Sequence, residues 1–328
     1  MKPSPKLFRF KFPAPVFFLV LLLAACKERD RTAEAVSKVP LELEILRFDR
    51  EFAQSEAGDL PSLKQRYPFL FPAQYPDSIW VAKMADSLQF ELSTEVERAF
   101  GDFGEETRDL ESLFRHIKYY FPDHRPPKVI TLVSDVRYRE RVLLADTLLL
   151  IGLDNYLGED HRFYGGLQRY IAESLDRRYL LSDVASAFAK TVVHYPEQRS
   201  FLSKMVHYGK ELYLKDLLLP DLGDDQKIGY SPEDLQWAGE NEQQIWRYIV
   251  ERGLLYDTDS DLERRFLDPA PFSKFGLELD RESPARLGRY MGWQIVRAYM
   301  ERNETGLQEL LELPADEIFK NSNYKPRK

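Results

Sequence analysis

A single cysteine in 328 residues, Cys26, means that no intrachain disulfide and no multi-thiolate metal site can form. Whatever this chain folds into must be held by packing. The material for packing is present: 44% of the residues are hydrophobic and 13% aromatic, ample for a sizeable core.

The position of that cysteine is as informative as its solitude. Lys2, Lys6, Arg9 and Lys11 precede it with no acid between them, followed by an apolar run from Val16 to Ala25. A basic start, a short apolar stretch and small residues at the cleavage point make a secretory signal. A membrane-spanning helix needs about 20 apolar residues, and this run is too short by half. Leu23-Ala24-Ala25-Cys26 resembles a bacterial lipobox. Such a motif implies cleavage before Cys26, diacylation of its thiol and acylation of the new amino terminus; an ordinary signal peptide or a buried apolar strand is the alternative. One acyl chain holds a protein marginally and two or more hold it stably. The expected organisation is a lipoprotein signal peptide over 1–25, a lipidated flexible tether over 26–40 and a single α+β domain over 41–328. The expected location is a membrane surface of the bacterial cell envelope, facing the periplasm, with inner and outer membrane both open.

Removing the four basic residues of the signal leaves 42 of 46 basic side chains against 54 acidic ones, a net charge of −12. A chain this acidic is repelled by nucleic acid and by anionic lipid head groups. The membrane is therefore a partner through the acyl chains on Cys26, and nucleic acid is not a partner.

Leu41 to Phe48 opens with alternating apolar and charged residues and reads as a half-buried strand. Tyr67 to Pro72 is aromatic and Pro-rich, an irregular packed loop. Ser78 to Phe100 has helical spacing with a break near Leu92-Ser93, and Glu105 to Phe121 is a second amphipathic helix. Lys128 to Val133 and two runs within Arg141 to Asn155 read as strands, the latter a hairpin turning at Ala145-Asp146. The rest reads as helix. Ser182 would cap Asp183 to Val193, and Phe201 to Leu219 ends at Pro220. Ser231-Pro232 starts a helix reaching Gly253, Pro284 to Arg302 is long and amphipathic, and Pro314 splits Thr305 to Asn321 in two. Strands come early and helices late, so the fold class is α+β, mainly helical with a small early β-sheet.

No chemical signature stands out. The five histidines form no HExxH, and neither GxSxG nor a Gly-rich phosphate loop is present. No cofactor is implied. His207 and Glu211 sit four apart, a spacing that can bind metal but more often gives a surface pair. A catalytic zinc site needs three protein ligands, and no third is evident. Asp154-Asn155 with Asp160-His161 makes a polar cluster suited either to a cation or substrate, or to hydrogen-bonding a turn. No catalytic and no metal residues are assigned, and the one assigned site is the lipid attachment at Cys26.

Several segments carry a family resemblance. Phe48-Asp49-Arg50-Glu51-Phe52, the loop Tyr67 to Pro72, Leu149 to Gly158, and Met205 to Tyr213, following a lipobox, resemble the GldB family of gliding-motility lipoproteins over nearly all of the mature chain. The resemblance implies a lipoprotein required for bacterial gliding, working with other envelope proteins of the gliding machinery. Gly288 to Val296 is similar to the closing helix of zincin-type metallopeptidases. That similarity implies a degenerate zincin-like fold in which Asp183 to Val193 replaces the metal-binding helix and Tyr208-Gly209 the pair bearing the third ligand. Val184, Ala187, Phe188 and Val192 offer no lone pairs to a metal. The expected function is therefore non-catalytic, through protein interactions. A metal-dependent peptidase with an atypical site and a peptidoglycan- or glycan-binding module are the alternatives.

Overall fold

A computed structural model describes residues 31–276 and 278–327. Cys26 and the signal segment lie outside the described residues. Helix α1 (residues 31–37) leads through Pro40 into β1 (Ile45–Leu46), then α2 (Phe48–Ala53), α3 (Leu60–Arg66), α4 (Asp77–Met84), α5 (Ser87–Phe100) and α6 (Gly104–Tyr120). The strands β2 (Lys128–Leu132), β3 (Val142–Ala145) and β4 (Leu148–Gly152) follow. The remainder is helical: α7 (Arg169–Ala172), α8 (Leu180–Val192), α9 (Phe201–Leu218), α10 (Asp224–Ile228), α11 (Pro232–Glu240), α12 (Glu242–Glu251), α13 (Asp261–Phe266), α14 (Leu287–Met300), α15 (Leu307–Glu312) and α16 (Ala315–Ser322). The class is α+β and mainly helical, as expected.

The four strands form one sheet in the order β1-β2-β4-β3, with β1, β2 and β4 parallel and β3 antiparallel to β4. Strand pleat sends alternate side chains to opposite faces. Val129, Leu149 and Ile151 go to one face and are fully buried with α6 and α8. Ile130, Leu132, Leu148 and Leu150 go to the other, beneath Phe48, Phe52, Leu63, Tyr67 and Phe71 of the α2–α3 region. A second core lies between α9 and α14, closed by α11, α12, α13 and α16. The two helices cross backbone against backbone. A Cβ built on Gly292 would lie 1.8 Å from the Met205 carbonyl oxygen, and one on Gly209 would lie 2.3 Å from the Gly292 carbonyl oxygen. Only glycine permits this approach.

Several expectations need correction. The first strand pairs over two residues rather than eight, because Arg47 turns the chain into α2, whose Phe48 and Phe52 are buried. The helix break falls at Ala85-Asp86, not Leu92-Ser93, since the Asp86 side chain caps α5 by accepting from the Gln89 amide at 2.9 Å. Ser182 caps nothing. It lies inside α8, and its hydroxyl donates to the Lys227 carbonyl at 3.1 Å. Ser231 does cap its helix, but that helix ends at Glu240, where the Asn241 amide donates to Trp237.

Buried cations clasp several helix carboxyl ends. Lys210 Nζ donates to the Leu311 and Leu313 carbonyls at the end of α15, at 2.8 and 2.7 Å. Lys215 Nζ donates to Ser182 Oγ at 2.8 Å and to the Lys227 carbonyl in α10 at 2.7 Å. Unpaired carbonyls and the helix dipole favour positive charge at these ends. Burial nevertheless lowers both lysines to about 8.

A candidate binding cleft at the carboxyl ends of the parallel strands

Helices α2, α3 and α4 do not cover their whole face of the sheet. Leu132, Leu143 and Leu150 floor a cavity of about 280 Å³, walled by Phe48, Phe52, Leu70 and Trp80. It opens past Leu132 and Gly152, where the parallel strands end, the usual place for a ligand in a parallel sheet. Its roof is α4, in which no residue is fully buried despite Ile79, Trp80, Val81 and Met84. Two ion pairs tie the ends of this helix: Lys64 Nζ to Asp77 at 2.6 Å and Lys83 Nζ to Asp135 at 2.7 Å. Trp80 is held edge-on by Phe71, with centroids 4.9 Å apart. Ile79, Leu88 and Phe90 on α4 and α5 are solvent-exposed, Phe90 at 70%.

The rim loop is strained and well fastened. Asp135 and Val136 both lie in the left-handed region, at φ +59 and +55. For a β-branched residue this conformation costs about 1–3 kcal/mol and persists only where the surroundings enforce it. The enforcing group is Asp154, fully buried, whose carboxylate accepts from Ser134 N at 2.8 Å, Ser134 Oγ at 3.0 Å and Val136 N at 2.6 Å. Burial pushes the Asp154 carboxyl up, and the bonds from Val136 and Ser134 pull it part of the way back. Asn155 Nδ2 donates to Ser134 Oγ and to the Gly152 carbonyl, at 2.8 and 3.0 Å. A Cβ on Gly152 would meet Ser134 Oγ at 2.7 Å and Asn155 Nδ2 at 2.8 Å, so this network requires glycine there. The polar cluster read from the sequence is therefore divided. Asp154 and Asn155 build the rim loop. Asp160 pairs with Arg169 on the surface, and His161 accepts from the Phe163 amide with its other nitrogen 3.6 Å from Glu95.

Inside the cleft, Asp49 is held by Arg47 through two bonds of 2.9 and 2.7 Å and by the Thr131 hydroxyl. Gln89, 7% exposed, donates from Nε2 to Ser93 at 3.1 Å, while its Oε1 has no partner. Trp80 Nε1 is likewise buried and unpartnered. Neither residue was singled out from the sequence. Trp80 lies among apolar helix positions and Gln89 between Leu88 and Phe90, with nothing in their spacing to join them.

The His207–Glu211 pair is buried rather than on the surface. The Nε2 to Oε1 distance is 3.4 Å, Nδ1 lies 3.2 Å from the His194 carbonyl, and the rings of Tyr195 and Tyr208 flank the imidazole. Burial lowers the His207 pKa, so the ring is neutral at pH 7. Among the described residues no group of three or more His, Cys, Asp or Glu side chains is placed to hold a metal. On α8, Val184 and Phe188 are packed in the sheet-side core, with Phe121 and His124 against Phe188. Asp183 is engaged by Arg141, through bonds of 2.7 and 3.0 Å, and by the Tyr156 hydroxyl at 2.9 Å. Tyr208 lies under the Arg289 guanidinium at 3.9 Å, and Gly209 faces Gly292.

A family model described as "Gliding motility protein GldB" matches residues 29–326. No curated protein and no solved structure matches the chain. Among the described residues, no helix is long and apolar enough to cross a membrane.

Proposed function

Because the chain belongs to the GldB family of gliding-motility proteins, we propose that it is a lipid-anchored envelope component that holds another protein of the gliding machinery and does no chemistry on it. One observation carries this reading. Asp154, His207 and Glu211, which the sequence offers for chemistry, are each tied into a buried internal contact, Asp160 and His161 are engaged outside the cleft, and the surface of the open cleft is mostly apolar. A general acid or base must reach a substrate proton. A mostly apolar cleft, on helices that also expose Ile79, Leu88 and Phe90, suits a docking surface. The anchor in this proposal is the acylated Cys26, which keeps the domain at the periplasmic side of the membrane without any charge attraction to lipid.

Gene dosage distinguishes holding from turnover. A holder works in proportion to its copy number, whereas an enzyme seldom limits at a tenth of its normal level. The expected result is gliding speed that falls in step with expression over a tenfold range, and loss of gliding when Cys26→Ala releases the protein from the membrane. Unchanged gliding at one-tenth expression, or one zinc ion per chain in protein never exposed to chelator, refutes the proposal.

A further inference from the structure

We propose that the outer edge of β3 receives an extended segment of the held protein, which joins the sheet as a fifth strand. This assignment rests on the holding role and adds where and how the partner is held. The pairing pattern of the hairpin carries it. In an antiparallel pair, residues bonded to the neighbouring strand alternate with residues whose N–H and C=O point away from it. Gly152 N donates to the Arg141 carbonyl at 2.8 Å, Leu143 lies opposite Leu150, and Ala145 lies opposite Leu148. Arg141, Leu143 and Ala145 therefore bond to β4, and Val142 and Leu144 turn their main-chain groups outward. β3 is the last strand on its side of the sheet. Among the described residues no further main chain pairs with Val142 or Leu144. The strand is not covered over: Leu143 is 44% exposed, Ala145 is exposed, and Val142 and Leu144 are half-buried. Two N–H and two C=O groups thus alternate along this edge at the strand repeat, and another extended main chain matches them one for one. An acyl chain matches none of them.

Sheet edges are usually guarded by a lysine, a proline or a bulge. Val142-Leu143-Leu144-Ala145 has none of these. Arg141, the cation next to it, is engaged by Asp183. Leu143 continues the cross-strand row of Ile130 and Leu150, and it lines the cleft together with Leu132 and Leu150. The partner residue seated beside Leu143 extends that row, so an apolar side chain is favoured there. A second copy of this chain is the poorer occupant. Edge pairing over four residues covers far less than the roughly 1,200 Å² of a stable interface. Two mature chains, each with a net charge of −12, also repel one another.

The test uses the full detergent-solubilised lipoprotein with ¹⁵N in its valine and leucine amides; Val142→Ile, Leu143→Ile and Leu144→Ile identify the three resonances of interest. The probe is an equimolar mixture of blocked pentapeptides, acetyl-Thr-X-Thr-X-Thr-amide, with X drawn from Val, Ile, Leu and Phe. The expected result is a saturable downfield shift of the Val142 and Leu144 amide protons with little change at Leu143, whose N–H is bonded to β4. Leu144→Pro removes one outward N–H and leaves the ladder to β4 in place, a substitution that edge strands tolerate. Affinity should fall about tenfold in Leu144→Pro. It should stay within about threefold of the parent in Leu144→Ala, which loses more of the side chain but keeps the N–H. Unmoved Val142 and Leu144 resonances, equal shifts at all three amides, or equal binding by Leu144→Pro and Leu144→Ala overturns the assignment. So does a shift of the two outward amides on concentrating the protein without peptide, which would make the occupant a second copy. Unresponsive edge amides together with dosage-dependent gliding remove the edge and leave the holding role standing. Alternating shifts with dosage-independent gliding do the reverse.

Discussion

Gly292→Ala separates local preference from tertiary packing, because the two predict opposite signs. Gly292 lies within α14, where alanine is favoured over glycine by about 1 kcal/mol in an isolated helix. Against that, the new methyl would be placed 1.8 Å from the Met205 carbonyl oxygen. Carbon and oxygen approach no closer than about 3.3 Å even in favourable contacts, so α9 and α14 must separate by roughly 1.5 Å. Met205, Met291, Trp293 and Ile295 at this crossing are fully buried and cannot swing aside. A gap of about 0.5–1 Å already forfeits a quarter to a half of each dispersion contact. Overpacking a core typically costs about 1–3 kcal/mol, and here backbone must move rather than a side chain. The net expectation is destabilisation of about 3 kcal/mol, a large fraction of the roughly 5–15 kcal/mol typical of a folded domain. Urea unfolding followed by far-ultraviolet circular dichroism measures it. Gly239→Ala in α11 is the control, since its Cβ would meet nothing nearer than the Tyr290 hydroxyl at 3.8 Å. That variant should gain up to about 1 kcal/mol. A Gly292→Ala protein as stable as the parent would show that the crossing is not as tight as described and would refute the reasoning.

Three further outcomes are expected. Lys215 is lowered to about 8 in the folded chain, against 10.5 when unfolded, so the unfolded state binds more protons between those values. Its contribution to stability therefore rises from pH 8 to 10.5, by at most about 3 kcal/mol; the unfolding midpoint of Lys215→Met, subtracted from the parent's across that range, should show the slope missing from the variant. Asp154→Asn places an amide N–H against the amide of Ser134 or Val136 and should cost about 3 kcal/mol, read as a lower melting temperature. The α4 amides should exchange hydrogen faster in 1 M salt than in 0.1 M, because the Lys64–Asp77 and Lys83–Asp135 pairs at its ends are partly exposed and screened; equal rates would show that apolar contacts alone hold the helix.

Much of the fold could be read from local pattern. The β3–β4 hairpin, the Ser231 cap with Pro232 behind it and the split at Pro314 each depend on a few neighbouring residues, and each is present. The misplaced boundaries have a common cause. Leu92 and Ser93 looked like a break by composition, whereas the actual break at Asp86 is set by a side-chain cap that becomes visible only once the backbone turns. Ser182 looked like a cap because it precedes an acid, but its hydroxyl serves α10, 45 residues away. The site was the least legible part. Asp154 and Asn155 were noticed, but their role depends on Ser134 and Val136 being brought beside them by the sheet. Trp80 and Gln89 line one cleft only because the chain turns between α4 and α5, and an unpaired atom is a property of the folded environment. The histidine–glutamate spacing indicated proximity correctly but gave no sign of burial.

The direction of the strands has a mechanical corollary. The chain enters the sheet near Pro40, whose carbonyl is gripped by Lys118, and the cleft opens at the far end of β2 and β4. Traction between a seated partner and an amino-terminal anchor would thus pull nearly lengthwise on the strands. The first pairing in its path is β1, joined to β2 over only Ile45 and Leu46. This short splice would shear before the five-residue ladder between β2 and β4, paying out a little slack while the pocket itself kept its shape.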